Sequence, residues 1–129
     1  MNVGQLISKD LVSLPSSSTM RDVAKAMRDN DVSSVILLGE GGEVTIVTER
    51  DVTRAVAEGL DYSTPAKKLG KGPVISIEKN RPLIEALELM GEKKIRHLLV
   101  TDRGKPVGVV SIREVANTLS LMMVSETSY

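Results

Sequence analysis

The sequence predicts an α/β fold that is built from two related units of similar length. A shift of 63 residues aligns the two halves of the chain, so that Thr48 aligns with Ser111 and Asp51 with Glu114. Each half contains apolar residues at helical spacing, followed by two apolar runs around a glycine-containing turn. Because there are two copies of a long repeat rather than many short ones, we expect a pseudo-two-fold pair instead of a solenoid.

The composition excludes several classes of function. Seventeen basic residues balance seventeen acidic ones, so the chain has no general electrostatic attraction to nucleic acid or to an anionic membrane. It contains no Trp and no Phe, which are common stacking platforms for single-stranded nucleic acid. It has no Cys and one His, which excludes thiolate chemistry, Cys-based zinc sites and His-rich metal sites.

The sequence contains no signal for a membrane or for export. No apolar run approaches the ~18 residues that span a bilayer. Residues 1–10 lack the basic start and the long apolar stretch of a signal peptide. We therefore expect a cytoplasmic protein.

The first unit has the predicted order β-α-β-β-α. After a short lead come a strand at 11–14 and a helix whose apolar face is predicted to contain Met20, Val23, Ala24 and Met27. A glycine-rich turn joins strands at 35–38 and 44–47 into a hairpin. A second helix at 49–58 is expected to stop at Gly59.

The second unit repeats these elements. A strand is predicted at 74–77, and the next helix presents Leu83, Ala86, Leu87 and Met90 on one face, with Pro82 in its first turn. A hairpin of strands 98–101 and 107–110 precedes a helix from Ile112 through residue 122. The domain boundaries follow as 2–60 and 61–124, with a flexible tail at 125–129. Neither unit buries enough surface alone, so we expect the two to form one integrated module.

Two copies of a short signature carry a resemblance to a known family. The signature is two apolar residues, a hydroxyl residue, two variable residues and an acid; it reads IVTERD at 46–51 and VVSIRE at 109–114. Residues 95–102 (IRHLLVTD) also resemble a strand of that family. Together with the doubled element order, these segments make residues 2–122 similar to the CBS-domain pair, or Bateman module.

The resemblance implies a fold and a function. The expected fold is two CBS units packed sheet to sheet with pseudo-two-fold symmetry. The expected function is that of a stand-alone, non-catalytic regulatory homodimer. It would sense an adenosyl ligand (AMP, ADP, ATP or S-adenosylmethionine) in the cleft between the units and signal to an unknown protein effector. The alternative is a dimerisation or scaffold module with empty clefts, and an enzyme is disfavoured because no catalytic motif is visible.

The first signature has the chemistry of a nucleotide site. Thr48 is predicted at a helix N-terminus, where N–H groups and the helix dipole favour a phosphate, and Arg50 adds positive charge. Asp51 can accept hydrogen bonds from both hydroxyls of a ribose. The same spacing is also that of a capping box, so Thr48 and Asp51 could serve only to start the helix.

The predicted ligand-binding set is wider than this turn. In the second signature it takes in Ser111, Arg113 and Glu114; the longer side chain of Glu114 reaches a ribose differently, so the Asp51 site is favoured. An adenine is expected against the first strands. The remaining members of the set are Val47, Ser13, Leu14, Ile75, Ser76, Arg96 and His97.

The sequence allows two interpretations of Arg96 and His97. The family commonly uses basic residues at the strand of Arg96 and His97 to reach phosphates. Arg96 could equally be a solvated surface residue, and His97 a hydrogen-bonded core histidine. Thr45 stands where the family often has glycine, a residue that Gly108 keeps, so we expect Thr45 to crowd the backbone near the first site.

Overall fold

A computed structural model describes the backbone of residues 1–70 and 73–127, with side chains as far as residue 124. Within these ranges it contains two three-stranded sheets and four α-helices, which confirms the predicted α/β class and the doubled β-α-β-β-α order. The first copy consists of β1 (Ser13–Pro15), α1 (Met20–Asn30), β2 (Ser34–Leu38), β3 (Val44–Thr48) and α2 (Glu49–Ala57). The second consists of β4 (Ser76–Glu78), α3 (Leu83–Lys93), β5 (His97–Asp102), β6 (Lys105–Ser111) and α4 (Ile112–Thr127).

The compact unit from Val12 to Val74 has the sheet order β1-β2-β3, in which β2 pairs parallel with β1 and antiparallel with β3. The α1 face is buried as predicted at all but one position, because Ala24 is exposed while Ala26 is half-buried. The buried stripe is centred on Val23 and Met27, which leaves Ala24 at its edge. The helix α2 ends at Ala57, and Gly59 follows with a φ of 82°, in agreement with the predicted stop.

The other compact unit joins residues 1–11 to the chain from Ile75 onward. Its sheet has the order β4-β5-β6, with the same parallel and antiparallel pairings. Arg103 and Gly104 form a two-residue turn with φ values of 52° and 81°. Two positive φ values match the right-handed twist of a tight hairpin, so β5 and β6 are longer than the strands that the sequence predicted.

The lead of the first copy, which contains the 3₁₀ turn Val3–Leu6, packs with elements of the second copy. The N–H of Val3 donates to the carbonyl of Arg81 (2.9 Å), and the N–H of Leu83 donates to the carbonyl of Met1 (3.0 Å). Pro82 is the N-cap of α3, so the helix begins one residue later than predicted. The first lead therefore supports the start of α3.

The lead of the second copy does the same for the first copy. Ala66 N–H donates to Ser18 O (2.9 Å) and Met20 N–H donates to Thr64 O (2.8 Å), at positions that are 63 residues from their counterparts in the other unit. The predicted boundaries at 2–60 and 61–124 follow the repeat in the sequence. The compact units of the structure instead exchange the two leads.

The last helix is longer than the sequence predicted. The backbone at 125–127 continues α4, although a tail was expected from residue 125, and residues 128–129 lie outside the described part of the chain. The helix continues because residues 112–127 contain no glycine or proline to end it. Over the described residues, no helix is long and apolar enough to cross a membrane.

Candidate functional site

The turn from β3 into α2 is closed by a reciprocal capping box. The N–H of Asp51 donates to Thr48 Oγ1 (3.3 Å), and the N–H of Thr48 donates to Asp51 Oδ2 (2.9 Å). The hydroxyl of Thr48 also donates to Asp51 Oδ2, at 3.0 Å. The capping alternative that the sequence allowed is thus present in the structure, and any ligand at this turn must share these groups.

Asp51 is a buried charge whose cationic partner the sequence analysis missed. Its side chain is only 8% exposed, and its Oδ1 accepts from Arg54 Nη2 at 2.9 Å. Arg50, which was predicted to supply the positive charge, is exposed on the first turn of α2. An acid followed three residues later by an arginine on a helix is the signal that identifies Arg54.

The first-turn amides of α2 are only partly available to a ligand. Glu49 N–H donates to the carbonyl of Ser33 (3.0 Å), and Asp51 N–H is taken by Thr48. For the N–H of Arg50 the described residues provide no acceptor. Because the Thr48 hydroxyl already donates to Asp51 Oδ2, that single N–H is the helix-terminal donor that an anion would meet.

The second signature forms the same cap with an exposed acid. Ser111 N–H and hydroxyl donate to Glu114 Oε1 (3.3 and 3.0 Å), and Glu114 N–H donates to Ser111 Oγ (3.2 Å). Glu114 and Arg113 are both exposed, in contrast to the buried Asp51. Asn117 stands at the position that aligns with Arg54. The two turns therefore share a geometry and differ in burial and charge.

The predicted strand residues lie at the same sheet end as these turns. In the first copy Ser13 starts β1 opposite Ile36, and Ser34 pairs with Thr48 near that end. In the second copy Ser76 starts β4, and Ile75 O accepts from Leu99 N (3.1 Å). Ser13 and Ser76 are exposed, and Leu14 and Ile75 are half-buried. Within each unit, the register brings the first strand and the signature to one end of the sheet.

The other predicted residues have different surroundings. Val47 is fully buried in the core of its unit, which leaves only its backbone for a ligand. Arg96 is exposed, and its carbonyl accepts from Ile112 N (2.8 Å) at the start of α4. His97 is half-buried and pairs with Ser111 across β5 and β6. Arg96, His97 and Ser111 therefore lie together in one unit.

The expected crowding at Thr45 is relieved by a glycine. A Cβ added to Gly70 would lie 2.6 Å from Thr45 Cγ2, so Gly70 makes the room that Thr45 occupies. At the equivalent place in the other unit the sizes are reversed, because a Cβ on Gly108 would lie 2.7 Å from Ile7 Cδ1. The small and large partners have exchanged places between the two copies.

The doubled elements, each with a hydroxyl–acid turn before its last helix, define a tandem α/β pair. The chain belongs to the CBS domain family, since the family model for the CBS domain matches residues 3–58 and again residues 66–121. The resemblance to a CBS-domain pair is thereby confirmed.

Known proteins match along most of the chain. Uncharacterized protein MK0525 of Methanopyrus kandleri is 32% identical over 119 residues, which cover 89% of this chain and 61% of that protein. The chain thus spans less than two thirds of that relative. A solved structure of CBS domain protein PAE2072 from Pyrobaculum aerophilum, complexed with AMP, is 31% identical. The match covers 99% of this chain and 100% of that one, with a TM-score of 0.85.

A more distant structure shares the fold. The CBS domain pair of protein MJ0100, in complex with 5′-methylthioadenosine and S-adenosyl-L-methionine, matches with a TM-score of 0.81. The match covers 93% of this chain and 96% of that chain, at 19% identity, and at this identity the likeness concerns the fold alone.

Proposed function

We propose that this CBS pair is a non-catalytic regulatory module that binds an adenosyl ligand, with AMP as the first choice and ADP, ATP or S-adenosylmethionine as further candidates. The observation that carries the proposal is the match over 99% of the chain to a CBS protein complexed with AMP. The balanced charge of the chain supports a small-molecule ligand rather than nucleic acid. We place this activity in the cytoplasm.

The Thr48 turn is the proposed anchor of the ligand. Asp51 accepts hydrogen bonds from the ribose hydroxyls, and the N–H of Arg50 donates to a phosphate at the start of the helix that Thr48 caps. Arg50 is exposed on the same turn and adds charge for the phosphate. The adenine lies against the start of the first strands, at Ser13 and Leu14 or at Ile75 and Ser76.

The Ser111 turn is the proposed weaker anchor. Its acid, Glu114, is exposed, and an exposed carboxylate has to give up more hydration on binding a ligand than a buried one. Arg96 and Arg113 lie in the same unit and supply the positive charge of this second site, with His97 beside them on β5. We therefore expect the two turns to bind with different affinity.

Regulation requires that the ligand distinguishes two states of the protein. A ligand shifts an equilibrium only by its difference in affinity for the two conformations, and a protein effector reads the favoured one. We propose a homodimer as the regulated form. Its support is the exposed apolar end of α4, where Leu121 is 68% exposed and Met122 39%.

The capping boxes favour a second candidate, a dimerisation or scaffold module that binds no ligand. The hydroxyl–acid pairs of both turns already satisfy each other, so helix capping alone accounts for their spacing. In that case the exposed apolar side chains of α4 carry the function, and the turns are purely structural.

A thermal-shift screen separates the two candidates. The protein is heated with AMP, ADP, ATP or S-adenosylmethionine, and guanosine monophosphate serves as a control that keeps the ribose and the phosphate. A ligand at ~100 times its Kd adds ~2.7 kcal/mol to the free energy of unfolding, which raises Tm by several degrees. If the protein is a dimer without ligand and none of the four adenosyl compounds raises its Tm at millimolar concentration, the scaffold function is favoured.

A further inference from the structure

The chain already uses most of the acceptor positions of Asp51. An ionised carboxylate offers about four such positions. Three are taken here, since Oδ2 accepts from the N–H and the hydroxyl of Thr48 and Oδ1 accepts from Arg54. One position remains, whereas the two neighbouring hydroxyls of a ribose bring two donors. A ribose that is held by both hydroxyls therefore displaces one of the three existing bonds.

The bond from Arg54 is the one that yields most readily. The N–H of Thr48 is fixed in the backbone, and the Thr48 hydroxyl belongs to the cap of α2. The Arg54 side chain is 37% exposed, so its guanidinium regains water when it leaves Asp51. Solvent screens the guanidinium side of this pair, and a long side chain loses entropy on pairing, so Arg54 leaves at a lower cost than a buried cation would. The ribose hydroxyls take its place, so the buried carboxylate keeps its donors.

We propose that Arg54 is a latch on the adenosyl site, which holds Asp51 Oδ1 in the empty site and leaves it when a ribose diol binds. This inference rests on the proposed function. The latch lowers the affinity for a ribonucleotide, because its bond must break. A 2′-deoxyribose has one hydroxyl fewer, fits the single remaining acceptor position and leaves the latch closed. Arg54 is thus a positioning residue that acts through Asp51.

The second copy has no such latch. Asn117 occupies the position of Arg54, and among the described residues Glu114 accepts hydrogen bonds from Ser111 through Oε1 and from no guanidinium. Loss of the side chain at this position should therefore change the affinity of the Thr48 turn, where it is Arg54, and not that of the Ser111 turn, where it is Asn117. Asn117→Met is accordingly a matched control for a substitution of Arg54.

The test is a calorimetric titration of AMP and of 2′-deoxy-AMP into the wild type, Arg54→Met and Asn117→Met. Methionine keeps an unbranched stem and removes the guanidinium. We expect Arg54→Met to lower the Kd for AMP about threefold, which is the strength of an ion pair of this kind. The Kd for 2′-deoxy-AMP stays unchanged, and the Tm of the empty variant falls slightly. Asn117→Met changes none of the three.

A second measurement follows the latch directly. In the wild type, the side-chain Nε–H resonance of Arg54 should shift when AMP is added and stay in place when 2′-deoxy-AMP is added. A purely structural role for Arg54 predicts that Tm and affinity fall together. The latch predicts that they change in opposite directions.

The outcomes separate the latch from the proposed function. If the wild type binds AMP and Arg54→Met binds it equally or less tightly, the latch is wrong and the proposed function stands. If Arg54→Met lowers the Kd for AMP and the Kd for 2′-deoxy-AMP by the same factor, the diol does not displace Arg54 and the latch is again wrong. If neither protein binds any of the adenosyl ligands, the proposed function fails and the latch fails with it.

Discussion

The contact between Ile7 and Gly108 predicts that Gly108→Ala destabilises the protein when Ile7 is present and stabilises it when Ile7 is replaced by alanine. The φ of Gly108 lies outside the left-handed region, so its backbone accepts an L-residue. A Cβ there would lie 2.7, 3.1 and 3.3 Å from Ile7 Cδ1, Cγ2 and Cγ1. Ordinary carbon–carbon contacts are about 3.5–4.0 Å long. Gly108→Ala therefore forces Ile7 to move, and Ile7→Ala removes all three contacting atoms.

The magnitude follows from two opposing terms. Overpacking costs about 1–3 kcal/mol, and the half-buried Ile7 has room to give, so we take about 1.5 kcal/mol. Replacing glycine by alanine where the backbone allows it adds about 0.4–1 kcal/mol, because the unfolded chain loses freedom. Gly108→Ala should thus destabilise the wild type by about 0.5–1 kcal/mol. In the Ile7→Ala background it should instead stabilise by about 0.4–1 kcal/mol.

The assay is urea unfolding of the wild type, both single variants and the double variant, analysed as a double-mutant cycle. Gly91→Ala on α3 is the control, since a Cβ at Gly91 has no neighbour within 4 Å. It should stabilise both backgrounds by about 1 kcal/mol, as alanine does in a helix. A coupling between Ile7 and Gly108 below about 0.3 kcal/mol, the usual limit of additivity, would refute the contact.

Two further predictions concern the caps and the response to pH. Thr19 caps α1 as Thr48 caps α2, since the N–H of Asp22 donates to Thr19 Oγ1 (3.2 Å). Thr19→Ala and Thr48→Ala each remove a capping hydroxyl, and each should lower the free energy of unfolding by about 1 kcal/mol in urea titrations. Only Thr48→Ala should also raise the Kd for AMP. An equal rise in Thr19→Ala would mean that the loss of a helix cap, and not the position of Thr48, weakens AMP binding. Hydrogen bonds from the hydroxyl of Thr101 and from the N–H groups at residues 103 and 104 lower the pKa of Glu78 below its ordinary 4.5. Because the folded pKa lies below the unfolded one, the stability that Glu78 adds is full above pH 4.5 and is lost as pH falls through the folded pKa. The wild type should therefore exceed Glu78→Gln in Tm at pH 7, and this excess should shrink as the pH falls below 4.5; a difference that does not vary with pH would contradict this.

Much of the fold could be predicted because local patterns determine it. The spacing of Met20, Val23 and Met27 predicts α1, and Gly59 marks the end of α2, as the structure confirms. The strand ends were less accurate: β1 covers Ser13–Pro15 instead of 11–14, since only the pairing with β2 defines so short a strand. Periodicity locates elements better than it locates their ends.

The exchange of the leads could not be predicted from periodicity. A short apolar lead carries no information about which copy it packs against, because both copies present similar faces. The sequence records the exchange only in the sizes of the residues at two equivalent contacts. A large lead residue, Ile7, meets Gly108 in one unit, and a small lead residue, Gly70, meets Thr45 in the other. This pattern of sizes can be recognised only when it is known which residues contact each other.

The candidate site was predicted in part. The spacing of Thr48 and Asp51 identified a real turn, because a hydroxyl and an acid three residues apart close a helix start in any context. The sequence prediction assigned the positive charge to Arg50, but side chains three apart on a helix meet and adjacent ones do not, so Arg54 is the cation that contacts Asp51. Which groups contact a ligand remains a prediction.

The most direct test of the central claim is a calorimetric titration of AMP into the wild type, Asp51→Ala and Glu114→Ala. The two variants remove the equivalent acid from the two copies, so each is the control for the other. We expect the wild type to bind AMP, Asp51→Ala to lose the tighter site, and Glu114→Ala to retain it. Loss of binding in Glu114→Ala alone, or wild-type affinity in Asp51→Ala, would contradict the assignment of the ligand to the Thr48–Asp51 turn.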